Sequence, residues 1–287
     1  MEGVCAVIPT VDFYGTLVTR LILGDNPFNG HSYITDVHSG DEMMDYYTAN
    51  NIIKTLFAAE ECGINTYMAL ADPFILRIIR QYRNEGGKMN IMFQSYPPVD
   101  LEINIRQMMA CDPIAIYHQG GSFDLLVEEN KIDTVHERLE LIRNSGVKAG
   151  LATHVPEVLL RAETENWGID FYMACLYNAR RTQRGRQSGF ITGKSKDDLV
   201  FFPDDPPIMY EAVRNVKKPC IVFKLFAGGQ IFHGKPPAEV PVVIESVYTN
   251  VYENIKQNDM TCIGVFQKNK DELRENADIV RKVLAIQ

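Results

Sequence analysis

The chain has 287 residues, of which 46% are apolar, and its formal net charge is −8. That length allows one large core, and the acidic balance argues against nucleic acid as the main partner, because phosphate backbones require a broad basic surface. No apolar run approaches the roughly eighteen residues of a membrane-spanning helix, and the N-terminus lacks a signal-like pattern, so neither a membrane nor a secreted location is expected.

The six cysteines occur singly, with no C-x-x-C and no short metal-type spacing. Most of them fall in or beside apolar strand patterns, which favours reduced, buried thiols and a cytoplasmic protein. They are Cys5, Cys62, Cys111, Cys175, Cys220 and Cys262.

Two β-rich runs open the chain and are separated at Tyr14 and Gly15. We expect them to form a hairpin that leads into a first sheet strand at residues 20–23. The following segment, GDNPFNGHSYITDVHSG, is a long turn-rich loop, and such loops are usually functional or mobile.

Strand and helix patterns then alternate to the end of the chain. In the clearest unit, residues 147–178, two apolar runs flank an amphipathic segment; a crossover of that length makes the two strands parallel. Eight strands and eight helices can be counted, the last two strands at residues 220–226 and 260–265. This count predicts a single-domain α/β protein over residues 1–287, a (β/α)8 TIM barrel. An open doubly wound sheet usually carries a G-x-G-x-x-G turn after its first strand, and none is present here.

Two additions to the barrel are predicted: the N-terminal β-hairpin, and a long insertion between the sixth strand and sixth helix, at about residues 179–206. The insertion is basic and is interpreted either as a lid that gathers an anionic ligand or as a solvated loop. Its cationic residues are Arg180, Arg181, Arg184, Arg186, Lys194 and Lys196.

The order of motifs resembles the aldo-keto reductase superfamily. The run SGVKAGLATHVPEVLLRAETENWGIDFYMACLYN is similar to that family's fifth strand, helix and sixth strand, and AIYHQGG, FKLFAGG and IGVFQKNKDELREN are similar to later segments. The resemblance implies an NADP(H)-linked oxidoreductase acting on a carbonyl or sugar-like small molecule. His118 would orient the carbonyl, Lys268 would approach a nucleotide phosphate, and Asn276 would face adenine.

The family's catalytic set is incomplete in this chain. Met68 stands where the resemblance places an aspartate, Gln94 stands where it places a lysine, and no tyrosine follows at the family's spacing. The alternative is therefore a nucleotide-free lyase, isomerase or hydrolase, with or without a divalent metal, that uses His118, His154, Asp25 and Lys224 at the same barrel mouth. A third hypothesis is a barrel that only binds a ligand or a partner subunit.

Polar residues at the C-terminal ends of the strands are the candidate site residues, because ligands of parallel barrels bind there. His118 and His154 are candidate acid–base groups or metal ligands, and Asp25 with His31 would extend a metal site. Each also has a structural interpretation, as a turn cap for the histidines and as an Asp-Asn-Pro turn for Asp25.

Lys224 lies in an apolar strand. It could have a depressed pKa there and form a Schiff base, or it could have a structural role and pair with a carboxylate such as Asp25. Gly228, Gly229 and Gly264 follow the last two strands, where barrels commonly bind a phosphate. The expected partner is a small-molecule substrate; its identity, any metal and the oligomeric state are left open.

Overall fold

The structure is a computed structural model that describes residues 7–183 and 199–286. The predicted hairpin is formed by β1 (Thr10–Phe13) and β2 (Thr16–Thr19), which pair antiparallel. The barrel strands are β3 (Leu21–Gly24), β4 (Thr66–Leu70), β5 (Asn90–Gln94), β6 (Ala115–His118), β7 (Lys148–Thr153), β8 (Phe171–Cys175), β9 (Cys220–Phe223) and β10 (Met260–Ile263).

These eight strands are all parallel and close into a barrel in the order β10-β3-β4-β5-β6-β7-β8-β9. The prediction of a (β/α)8 barrel is confirmed. The α-helices of the described residues are α1 (Gly40–Tyr46), α2 (Ala49–Glu61), α3 (Pro73–Asn84), α4 (Leu101–Met109), α5 (Gly120–Glu128), α6 (Ile132–Asn144), α7 (Pro156–Thr164), α8 (Arg180–Gln183), α9 (Asp205–Asn215), α10 (Val240–Asn254) and α11 (Glu272–Ile286).

Several helices begin where the sequence provides a capping side chain. Thr48, Asp72 and Asp100 each accept a hydrogen bond from a backbone N–H in the first turn of α2, α3 and α4. Caps of this kind stabilise a helix by about 1 kcal/mol, because they satisfy N–H groups that have no partner within the helix.

Side chains of alternating strand residues fill the barrel interior. Met68, Met92, Met173 and Met260 belong to this inner cluster, and the hairpin adds Phe13, whose ring centroid lies 5.3 Å from that of Phe171. The hairpin therefore covers one end of the barrel. Ligand-binding groups have to gather at the other end, where β3 to β10 finish.

Two strands are shorter than the sequence predicted. The strand expected at residues 220–226 ends at Phe223, because Lys224 and Ala227 take left-handed backbone angles of φ +61° and +51°. The chain then turns into a 3-10 helix, Ala227–Phe232. The last strand ends at Ile263 rather than residue 265.

Part of the predicted insertion, residues 184–198, lies outside the described residues, and with it Arg184, Arg186, Lys194 and Lys196. Cys5 also lies outside them, whereas the other five cysteines are free and buried. Among the helices that the structure describes, none is long and apolar enough to cross a membrane.

Candidate active site

A cavity of about 560 Å³ lies at the C-terminal end of the barrel. The loop after β3 forms one of its walls, with a 3-10 helix at Asn26–Asn29, and contributes His31, Tyr33 and His38. The turn-rich sequence of this loop indicated a functional or mobile segment; the structure places it beside the cavity.

The strongest polar pair at the cavity is His154 with Asp124. His154 follows β7 and lines the cavity, while Asp124 lies on α5 and is 1% exposed. The Nδ1 atom of His154 is 2.8 Å from Oδ2 of Asp124, and Thr153 donates its hydroxyl to Oδ1 of the same carboxylate at 2.5 Å. The carboxylate fixes both the orientation of the ring and the position of its Nδ1 proton.

Lys224 lies at the end of β9, and its ammonium group is placed among aromatic rings at the cavity. Its Nζ is 4.8 Å from the ring centroid of Tyr33 and 5.6 Å from that of Phe201. Burial lowers the pKa of Lys224, but its interactions with Tyr33 and Cys175 raise it, and the net pKa is above the ordinary value. The direction of this shift does not favour the depressed pKa that a Schiff-base lysine would need, and at neutral pH this residue is a cation.

Asp25 follows β3 and also lines the cavity. Its Oδ2 atom accepts the backbone N–H of Leu70 at 2.5 Å and the side-chain amide of Asn29 at 3.3 Å. Burial outweighs these hydrogen bonds and raises the pKa of Asp25 to about 7. In the described part of the chain, Asp25 does not pair with Lys224 as the sequence suggested; it is held by its own loop and by β4.

Gln94 and Tyr117 supply further polar atoms on the wall between these groups. Both line the cavity, and the Tyr117 hydroxyl donates to Oε1 of Gln94 at 3.3 Å. In the sequence Gln94 stands out only because it occupies the position where the resemblance places a lysine, and Tyr117 was not among the predicted site residues.

The structure does not place His118 at the cavity. Tyr117 belongs to the inner cluster, so His118, the next residue of β6, points to the helices, where its ring packs 5.6 Å from Phe123. Arg138 donates to its Nε2 at 2.9 Å, and its Nδ1 lies 3.1 Å from the carbonyl oxygen of Gln119. Burial and the Arg138 charge lower the pKa of His118 to about 4.

The three glycines that were assigned to a phosphate site are in contact with the loop after β3. A Cβ atom at Gly228 would lie 2.7 Å from the Tyr33 side chain, and one at Gly264 would lie 2.7 Å from Pro27. A Cβ at Gly229 would approach Ile34 to 2.9 Å. These positions allow close packing of the loop, so the glycines have a structural explanation that needs no phosphate.

The other two residues of the predicted nucleotide site already have partners within the protein. Lys268 forms an ion pair with Glu42 at 2.8 Å and is not part of the cavity wall. Asn276 lines the cavity, but it accepts the Tyr248 hydroxyl at 2.8 Å and donates to the carbonyl oxygen of Glu272 at 2.7 Å. Two acidic residues, Glu272 and Glu275, and one basic residue, Lys270, line the same region, a balance that does not favour a phosphate there.

The first two arginines of the basic insertion are also paired. Arg180 is 3% exposed and forms two hydrogen bonds of 2.8 Å with Glu128, and Arg181 pairs with Asp205. Within residues 7–183 and 199–286 no group of three or more His, Cys, Asp or Glu side chains could hold a metal ion. The metal site suggested for Asp25, His31, His118 and His154 is thus not assembled there.

Comparison with known proteins shows the fold and no family. No family model and no curated protein matches the chain. Similar solved structures include dihydropteroate synthase from Xanthomonas albilineans, which is 13% identical with a TM-score of 0.54 and 97% and 98% of the two chains covered. The 3-dehydroquinate dehydratase from Geobacillus kaustophilus HTA426 is 12% identical, with a TM-score of 0.53 and coverages of 98% and 97%.

A third neighbour, 3-hexulose-6-phosphate synthase from Salmonella typhimurium, is 10% identical, with a TM-score of 0.51 and coverages of 93% and 98%. These neighbours are TIM barrels of other enzyme classes, not aldo-keto reductases. The resemblance to aldo-keto reductases was wrong, and the expectation of NADP(H) that rested on it loses its support. Identities this low show a shared fold alone.

Proposed function

We propose that this protein is a nucleotide-free enzyme of the isomerase or lyase type that moves a proton next to a carbonyl group of a small polar substrate. The observation that carries the proposal is the Asp124–His154 pair, in which a buried carboxylate orients an imidazole at the cavity. Histidine is the side chain best suited to this work, because its unperturbed pKa lies close to neutral.

His154 acts as the base. Its Nδ1 proton is directed to Asp124, so Nε2, on the other edge of the ring, carries the lone pair that accepts the proton from carbon. Asp124 also stabilises the imidazolium that forms, in the way that a buried carboxylate assists a catalytic histidine in other enzymes. Asp124 is therefore a positioning residue, and His154 is the catalytic one.

Lys224 stabilises the negative charge that develops on the substrate's oxygen as the proton leaves. Its raised pKa keeps the ammonium group charged at neutral pH, and the cavity wall removes much of the competing solvent. A fixed cation beside a developing oxyanion is among the largest contributions to catalysis, because it requires no reorganisation during the reaction. Gln94 and Tyr117 add hydrogen-bonding groups for the hydroxyls of a sugar-like substrate.

The three solved structures named above are one dehydratase and two synthases, but the likeness shows the fold alone, so the proposal rests on the site. It is tested by following exchange of carbon-bound hydrogen for deuterium in D2O by proton NMR. The substrates are small aldoses, ketoses and 2-oxo acids, free and phosphorylated.

We expect the wild-type protein to catalyse exchange in at least one of these compounds, and His154→Gln to lose about 10²–10⁴-fold in rate with at least one compound that the wild type exchanges. His136→Gln is the matched control, because His136 is exposed on α6 and distant in the fold from the cavity wall. The proposal is contradicted if no compound exchanges, or if His154→Gln and His136→Gln exchange equally fast.

A further inference from the structure

Asp25 and His154 lie on opposite sides of the barrel. Asp25 directly follows β3 and His154 directly follows β7, and three strands separate β3 from β7 in either direction around the ring. Both residues line the same cavity. A substrate bound in the cavity would therefore present one face to the imidazole and the other face to the carboxyl group.

The hydrogen bonds that other residues donate to the Asp25 carboxyl group are concentrated on one of its two oxygens. In the part of the chain that the structure describes, its two side-chain hydrogen bonds, from Leu70 and Asn29, both end on Oδ2. The carboxyl group also acts on inward-facing residues: its charge contributes to the raised pKa of Cys262 and of Tyr117, two members of the inner cluster. Oδ1, which neither of these two bonds engages, is the oxygen that we infer to face the cavity.

Asp25 is also suited to hold a proton at neutral pH, since burial raises its pKa to about 7. An ordinary surface aspartate would be almost fully ionised there and would be a poor acid. The position of Asp25 on the wall opposite His154 and its raised pKa are independent of each other, and both suit an acid that faces a base across the substrate.

We propose that Asp25 and His154 work as an acid–base pair on opposite faces of the substrate, which makes the reaction an inversion of configuration at a carbon next to a carbonyl group. The substrate class is then a hydroxycarbonyl compound or a 2-substituted acid with a stereocentre beside the carbonyl. This inference rests on the proposed function and specifies the stereochemistry of the same site.

The step is balanced without a further reactant. Nε2 of His154 takes the proton from carbon, the C–H electron pair forms the C=C bond of an enolate, and the oxygen charge lies beside Lys224. Oδ1 of Asp25 then gives its proton to the same carbon from the opposite face, and the C=O bond re-forms. The product is the epimer; His154 is left protonated and Asp25 ionised, and exchange with solvent restores both.

The test uses pairs of epimers in D2O: D- and L-glyceraldehyde, D-fructose and D-psicose, and D- and L-malate, with the full-length wild type, Asp25→Asn and His154→Gln. In the wild type we expect deuterium to appear in the epimer formed as product, and much less in the remaining substrate, because the proton that is removed and the proton that is added come from different groups. Each variant should lose inversion by at least about 100-fold.

Each variant should keep exchange from the face served by its remaining group, so that Asp25→Asn exchanges one epimer and His154→Gln the other. A purely structural role of Asp25 would not produce this one-sided pattern. Asp36→Asn, an exposed carboxylate of the same loop, is the matched control and should behave as wild type.

Exchange with full retention of configuration in the wild type, or inversion by Asp25→Asn at the wild-type rate, would overturn the two-base assignment while leaving the proposed function intact. Exchange in none of the six compounds, and in none of the free and phosphorylated aldoses, ketoses and 2-oxo acids of the first test, would contradict the proposed function and this inference together.

Discussion

The Oδ2 atom of Asp124 accepts two hydrogen bonds from His154, one from Nδ1 of the ring at 2.8 Å and one from the backbone N–H at 3.0 Å. The second bond ties the carboxylate to the main chain that carries the imidazole, so the two side chains have a fixed relation. Because Asp124 is 1% exposed, no solvent competes for this carboxylate. In the proposed function this fixed relation makes the pair a preorganised base.

Replacing Asp124 by asparagine should slow proton transfer more than it weakens substrate binding. An amide can keep the hydrogen bond to the main chain, but it no longer stabilises the imidazolium and can present an N–H to the ring. We expect kcat to fall by about 10²-fold or more with KM changed little, as measured by the deuterium-exchange rate at increasing substrate concentration.

Asp133→Asn, on the first turn of α6, is the control for Asp124→Asn. If KM rises for Asp124→Asn while kcat stays unchanged, Asp124 contributes to substrate binding and not to proton transfer by His154.

Lys224→Gln should reduce the exchange rate by about 10²–10³-fold, because it removes the cation beside the developing oxyanion. Lys224→Arg keeps the charge and should recover part of the loss. Since its raised pKa keeps Lys224 protonated, borohydride reduction of the protein with a carbonyl substrate at neutral pH should leave no covalent adduct by mass spectrometry.

Lys217→Gln is the matched change at an exposed lysine and should have no effect on exchange. A reduced adduct on the peptide that contains Lys224 would instead establish it as a Schiff-base nucleophile and contradict the role given to it here.

The sequence predicted the barrel because strand–helix alternation and capping residues are local signals that agree with one another along the whole chain. The same signals explain why the chain resembled the aldo-keto reductases. Short apolar strands, glycines after helices and polar strand ends are required by any barrel of this kind, so motifs in the correct order can resemble a superfamily through the fold alone.

The site was harder to predict because it depends on which face of a strand each residue occupies. In β6 the side chains alternate, so a shift of one residue separates inward Tyr117 from outward His118. The partner of His154 was missed because Asp124 lies on another element, 30 residues earlier. A lone carboxylate in the apolar run FDLLV was the available signal.

His118 should contribute to stability in a manner that depends on pH. Its pKa is lowered from 6.5 to about 4 in the folded protein, so between these values the unfolded chain binds the extra proton. This contribution to the free energy of unfolding is present in full above pH 6.5. It decreases by about 3 kcal/mol as the pH falls toward 4, because each unit of pKa shift corresponds to about 1.4 kcal/mol.

His118→Gln can still accept the hydrogen bond from Arg138 but does not titrate. Urea denaturation at pH 7 and at pH 4.5 should show that the variant loses less stability than the wild type over this interval, while its exchange activity at pH 7 is unchanged. Equal losses would mean that His118 is not held neutral in the folded protein.

Asp25 should make stability depend on pH in the opposite direction to His118. Its pKa is raised from 3.8 to about 7 on folding, so the folded state binds the extra proton between these values, and stability is lost as the pH rises toward 7. At pH 8 the ionised carboxyl costs up to about 4 kcal/mol. Asp25→Asn keeps an acceptor for Leu70 and should therefore be more stable than the wild type, although inactive in inversion.

The gain from Asp25→Asn should shrink when urea denaturation is repeated at pH 5, where the folded wild type keeps its proton. Asp36→Asn should be neutral at both values of pH. A variant that is less stable than the wild type at pH 8 would show that the negative charge of Asp25 is needed to hold the loop after β3.

A substitution at Gly228 tests whether the loop after β3 packs against the turn after β9. Its φ of +61° and the 2.7 Å approach that a Cβ would make to Tyr33 are two separate costs of Gly228→Ala. Gly234 shares the first cost, with φ +70°, but no atom lies within 4 Å of a Cβ there. We expect Gly234→Ala to lose about 1 kcal/mol and Gly228→Ala an additional 1–3 kcal/mol or so, both measured by urea denaturation.

The difference between the two glycine variants isolates the contact with Tyr33, because the backbone strain is common to both. Tyr33 also contacts Lys224, so Gly228→Ala should lower the exchange rate as well, whereas Gly234→Ala should not. If the two variants lose the same stability, the loop after β3 yields without cost and is not held against the turn. The wall that it provides for the cavity would then form only when substrate binds.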